Sequence, residues 1–97
     1  MKKKIFNNYV EFILEEFSIT KEELFSSGKV RKISFPRFVL YYICYKRPMT
    51  YTDISNLMKT EGLDIKPYNV RYGIERIEQS DDQDYKNLIE SCINKFK

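Results

Sequence analysis

Apolar residues recur at three- and four-residue steps along most of this chain, the period of helices that bury one face. Phe6, Tyr9, Val10, Ile13 and Phe17 set out a first helix over about residues 4–18. A short second helix follows, opened by Thr20, with Glu23 placed to reach back to the Thr20 amide as a capping box. Leu24 and Phe25 give it an apolar face, and Ser26-Ser27-Gly28 ends it. A basic loop, Lys29-Val30-Arg31-Lys32, leads to a third helix that Ser34 can cap, with Pro36 in its first turn. That helix runs to about Lys46 and is apolar all round, as expected of a central element packed on several sides. Its β-branched and aromatic residues also suit a strand, but no partner strand is evident in the pattern.

Pro48 stops the third helix, and Thr50 with Asp53 forms a second capping box for a fourth, over about 51–60, whose face is Ile54, Leu57 and Met58. Gly62 suits the left-handed residue just past its end. Pro67 can open a fifth helix over about 67–79. Ser80 with Gln83 opens a last one, where Tyr85, Leu88, Ile89, Cys92, Ile93 and Phe96 form an apolar stripe. No repeat or low-complexity segment interrupts this order. The expected fold is an all-α compact bundle of about six helices in a single domain, residues 1–97.

Composition narrows the function. With 97 residues there is room for one core and none for an ATPase or nuclease domain beside it. There is no His, and Cys44 and Cys92 sit among apolar residues far apart in sequence. Inert core thiols in a reducing cytoplasm are therefore expected, without a zinc site or disulfide framework. The lysine-rich start does not lead into a signal peptide, and no apolar run approaches membrane-spanning length. Charge is unevenly spread: residues 25–76 carry +6, while the flanks together carry −3. A localised positive region on an otherwise acidic chain fits a polyanionic partner.

The fifth helix offers the means to read one. At about 100° per residue, Val70, Ile74 and Ile77 share the core side, and Tyr68, Asn69, Arg71, Tyr72, Glu75 and Arg76 take the opposite arc. Lys66 and Pro67 stand at its N-terminus. Asn can pair with adenine, Arg with guanine, and Tyr can reach a phosphate or a thymine methyl. Fourth helix, turn and fifth helix have the order of a helix-turn-helix, whose second helix enters the major groove. The plainer reading is a solvated amphipathic helix with an Arg71–Glu75 pair.

In that order of elements the chain resembles the C-terminal DNA-binding domain of the bacterial replication initiator DnaA, a fold similar to that of the Trp repressor. The residues that carry the resemblance are Leu24-Phe25-Ser26, the basic segment from Lys29 to Lys32, Pro36-Arg37, Thr50-Tyr51-Thr52-Asp53-Ile54, the spacing Val70, Ile74, Ile77, and Asn87-Leu88-Ile89. The resemblance implies that Lys29, Arg31 and Lys32 approach the minor groove and nearby backbone. It implies that Arg37 contacts phosphate, and that Lys66, Pro67, Tyr68 and Asn69 occupy the base-reading positions. The family's Asp-His-Ser/Thr-Thr signature is replaced here by Lys66-Pro67-Tyr68-Asn69, and the turn from Lys59 to Lys66 is about four residues longer than the family's.

Double-stranded DNA is thus the expected partner, for a transcriptional regulator or replication accessory without the ATPase module and without a cofactor. A protein-interaction module of the same fold, contacting a replication protein through the last helix and the tyrosine-rich third helix, is the alternative. An enzyme is the weakest reading, and no small-molecule substrate or membrane partner is expected. Asp81, Asp82 and Asp84 could imitate a metal site, but acids at a helix start are better explained by the helix dipole.

Overall fold

The computed structural model describes residues 2–28, 30–80 and 83–96. Among them six helices and no strand are formed: α1 (Lys2–Phe17), α2 (Lys21–Leu24), α3 (Arg31–Lys46), α4 (Tyr51–Thr60), α5 (Pro67–Glu78) and α6 (Gln83–Lys95). The all-α bundle expected from the periodicity is the observed architecture. Lys29, Asp81 and Asp82 lie outside the described residues, and with them part of the basic loop and of the acidic run.

The helix ends follow local chemistry. At α2, Glu23 N–H donates to Thr20 Oγ1 at 3.1 Å and Thr20 N–H to the Glu23 carboxylate at 3.0 Å. The same exchange between Thr50 and Asp53, at 3.0 and 3.1 Å, starts α4. At the other end of α4, Gly62 N–H reaches the Lys59 carbonyl and Leu63 N–H the Met58 carbonyl, at 3.0 and 3.1 Å. This double closure needs a left-handed residue between the two amides, and Gly62 supplies it at φ +98°. Leu63 is thereby turned into the core and the chain is aimed at α5.

The start of α3 departs from the expectation. The helix begins at Arg31, three residues before Ser34, with Val30 preceding it and no side-chain cap. The Val30 carbonyl accepts from both Ile33 and Ser34 N–H, at 2.9 and 2.8 Å, so the first turn closes upstream of the proline. Pro36 therefore stands inside the helix, fully buried. The one intrahelical bond its ring forgoes is that to the Lys32 carbonyl. Arg31 and Lys32 are consequently helical residues, not members of a loop.

α3 is the axis of the fold and packs against every other helix. Phe6, Tyr9 and Ile13 from α1, Leu24 from α2, Ile54 and Met58 from α4, Val70 and Ile74 from α5, and Cys92 from α6 converge with Val39, Leu40, Ile43 and Cys44 in one core. Each such aliphatic side chain contributes about 1.5–3 kcal/mol by leaving water. α5 comes closest to the axis. A Cβ on Gly73 would stand 2.7 Å from both Phe38 Cδ1 and Tyr41 Cδ2, so only glycine permits this approach. Both thiols are buried, and burial pushes that of Cys92 up to about 12 and that of Cys44 higher still, as inert core cysteines require.

Candidate nucleic-acid interface

The position of α5 against α3 opens a groove of about 610 Å³ along their joint edge. One wall comes from Ser27 and Gly28 and from the α3 residues Arg31, Ser34 and Arg37. The other comes from the α4–α5 turn at Asp64 and from Asn69, Tyr72 and Arg76 of α5. Phe35, Phe38, Tyr41, Leu63 and Ile65 complete its apolar lining. Of the residues singled out in the sequence, the fold gathers Arg31, Arg37, Asn69, Tyr72 and Arg76 around this groove. Lys32 is exposed one residue along α3, and Lys66, Pro67, Tyr68 and Arg71 lie on α5 or at its start, outside the groove lining.

α5 begins on Pro67, as its missing N–H allows. Asn69 Oδ1 accepts the Lys66 N–H at 2.9 Å. The side chain thus ties down the helix start and keeps its Nδ2 donors available. Val70, Ile74 and Ile77 are buried, and the rest of the helix divides into three arcs. Asn69 and Arg76 lean to the groove side. Arg71 and Glu75 lean to the opposite side, where Arg71 Nε stands 3.8 Å from the Glu75 carboxylate, both groups exposed. Between them Tyr68 and Tyr72 are 70% and 57% exposed, Tyr68 outside the groove and Tyr72 at its rim. Tyr72 meets Phe38 edge-on with ring centroids 6.0 Å apart.

Arg37 is placed otherwise than the resemblance implies. It is 8% exposed, and its Nε donates to the Leu24 carbonyl at 3.0 Å. Nη2 donates to the Ser26 carbonyl at 2.6 Å and to that of Gly28 at 3.2 Å. The guanidinium is therefore a clamp on the segment that joins α2 to α3, with three of its donor directions used inside the protein. Burial lowers its pKa, and the neighbouring Tyr41 opposes that shift. A sign of the inward aim was present in the sequence: Arg37, Tyr41 and Cys44 share one stripe of a helix that is apolar all round. Arg31, by contrast, is exposed and lays its guanidinium over the Phe35 ring at 4.7 Å from the centroid.

The surfaces that could have served a protein partner are largely taken up. Along α6, Ile89 and Cys92 are buried, Tyr85 stacks on Phe35 at 4.3 Å, and Phe96 packs edge-on against Tyr9 and Phe12. On α3, Tyr41 is buried, and Tyr45 is covered in part by stacking on Tyr51 at 5.4 Å. Among the described residues no group of acids and cysteines could hold a metal ion, and no helix is long and apolar enough to cross a membrane.

No protein-family model and no solved structure matches the chain. Over 90 residues, 90% of its length, it is 27% identical to the chromosomal replication initiator protein DnaA of Lachnoclostridium phytofermentans. The aligned stretch is 19% of that protein, so the chain spans about a fifth of the length of the curated relative it matches. Nearly all of this chain is thus similar to one part of a replication initiator.

Proposed function

We propose that this chain is a DNA-binding domain of the initiator's C-terminal type, a single unit that grips duplex DNA through a helix-turn-helix made of α4 and α5. α5 enters the major groove. The basic residues of 29–32, of which Arg31 and Lys32 open the first turn of α3, contact the adjacent backbone and minor groove. The observation that carries this reading is the division of α5. Its apolar stripe is spent in the core, and its outward arc presents aromatic, amide and guanidinium groups beside a groove whose far wall holds Arg31. The two tyrosines on that arc keep aromatic surface that the core does not use. The chain acts as a transcriptional regulator or replication accessory, by occupying DNA.

The test is affinity for a random-sequence duplex across a salt series. Each phosphate contact contributes a slope of roughly 0.9 log units in affinity per log unit of salt. Arg31→Ala with Lys32→Ala should weaken binding to every duplex and flatten the slope by about two contacts. A parent protein that binds no duplex at low salt would overturn the proposal. An unchanged slope in the double variant would move the backbone contact away from the start of α3.

A further inference from the structure

Resting on that reading, we infer that Tyr68 and Tyr72 are among its specificity determinants and that they select duplexes bearing two thymine methyl groups about two base pairs apart. The argument begins with direction. At about 100° per residue, both tyrosines fall within about 30° of the line opposite the stripe Val70, Ile74, Ile77. They form the apex of the helix, the part that goes deepest into a groove. The charged and amide groups flank them. Asn69 and Arg76 are turned to the α3 side, where the Tyr72 ring also borders the groove, and Arg71 to the side where Glu75 lies.

The centre of the reading surface is therefore apolar ring, and the feature of the major groove that offers apolar surface is the 5-methyl of thymine. Cytosine has no such group and presents an amino donor there. The rings are prepared for the contact. Tyr72 is held edge-on by Phe38, and Tyr68 is 70% exposed in the free protein, with apolar area left to bury. Their separation sets the spacing. Four residues of helix rise about 6 Å. Two base-pair steps rise about 6.8 Å. With α5 along the groove, one ring meets one methyl and the second ring meets another two steps on.

The experiment selects a site from a randomised duplex pool and compares it with the same duplex carrying uracil for thymine at the two positions, a change that removes the methyl groups and nothing else. Covering one methyl is worth about fourfold in affinity, so the parent should bind the uracil duplex about fifteenfold more weakly. Tyr68→Phe and Tyr72→Phe keep the rings and should behave as the parent does. The double variant Tyr68→Ala, Tyr72→Ala should bind the thymine duplex weakly and no longer distinguish it from the uracil one, with an unchanged helical spectrum and melting temperature. A parent indifferent to uracil, or a double alanine variant that still distinguishes the two, overturns the inference. So does a loss in the phenylalanine variants equal to that in the alanine variants, because the hydroxyls would then be the contact. Each of these leaves DNA binding standing. A parent that binds neither duplex overturns the DNA-binding proposal itself.

Discussion

α3 and α5 each carry basic residues and a proline near the start, and they form opposite walls of one groove. At α5 the proline is the first helical residue, the apolar positions keep to one stripe, and every polar side chain faces outward. At α3 the proline is six residues in, both flanking faces are packed, and the basic residues part company. Arg31 and Lys32 face solvent, and Arg37 turns inward to three carbonyls. The same residue types thus do different work according to how many neighbours the helix has. On a helix packed on one side a charge is surface. At a position of α3 that its neighbours enclose, it is a structural cross-link.

That contrast can be tested by removing parts in order of their expected weight. The stripe that anchors α5 should matter most: Ile74→Ala, which empties a fully buried position, should lower stability by about 2–5 kcal/mol in urea melts. A loss below 1 kcal/mol would mean that α5 is held by something other than its apolar face. Next come two of the three arginines of the groove. Arg37→Met should cost about 2–3 kcal/mol, because three carbonyls lose a charged donor. Arg76→Met, at an exposed position, should stay within about 0.5 kcal/mol. Equal effects would erase the distinction between the walls.

On the outward arc the expected losses are in binding. Asn69→Ala and Arg71→Ala should each cost about 1–3 kcal/mol on a selected site and much less on random DNA. Asn69→Ala should also lower stability by about 0.5–1 kcal/mol, since its side chain caps α5. Variants that bind both DNAs as the parent does, while losing a protein ligand, would make α5 a docking face. The smallest effect belongs to Pro67→Ala, which should change the melting midpoint by about 0.5 kcal/mol or less, a proline at the first helical position giving up no hydrogen bond. A large loss there would show that the turn from α4 dictates the entry angle of α5 more than the stripe does.

Much of this architecture was legible before any coordinates. Thr50, Asp53 and Gly62 mark both ends of α4 by local hydrogen bonding that needs no tertiary context, and Val70, Ile74 and Ile77 state which way α5 turns. The start of α3 was not legible. Ser34 and Pro36 have the look of a cap and a first-turn proline, and only packing makes it worthwhile to begin the helix at Arg31 and bury the ring. The outward arc of α5 could be read from a wheel. The groove could not, because its walls come from segments distant in sequence, and its width depends on one small residue in the middle of α5. An isolated glycine in a helical pattern is a signal of close approach, but it does not say to what.

Gly73 makes the two walls behave as the jaws of a fixed caliper. With the Phe38 and Tyr41 rings standing where a side chain at Gly73 would have to go, α5 has little room to move inward, and its buried stripe resists moving out. The span from Arg31 to the tyrosine apex is therefore set by the protein before any partner arrives. On the proposed reading, a duplex that fits the span is accepted as it is, and one that does not must bend or be refused. On the same reading, exposed side chains of α5 other than the capping Asn69 can be exchanged to alter what is recognised. Exchange of the hidden glycine would change the gauge itself.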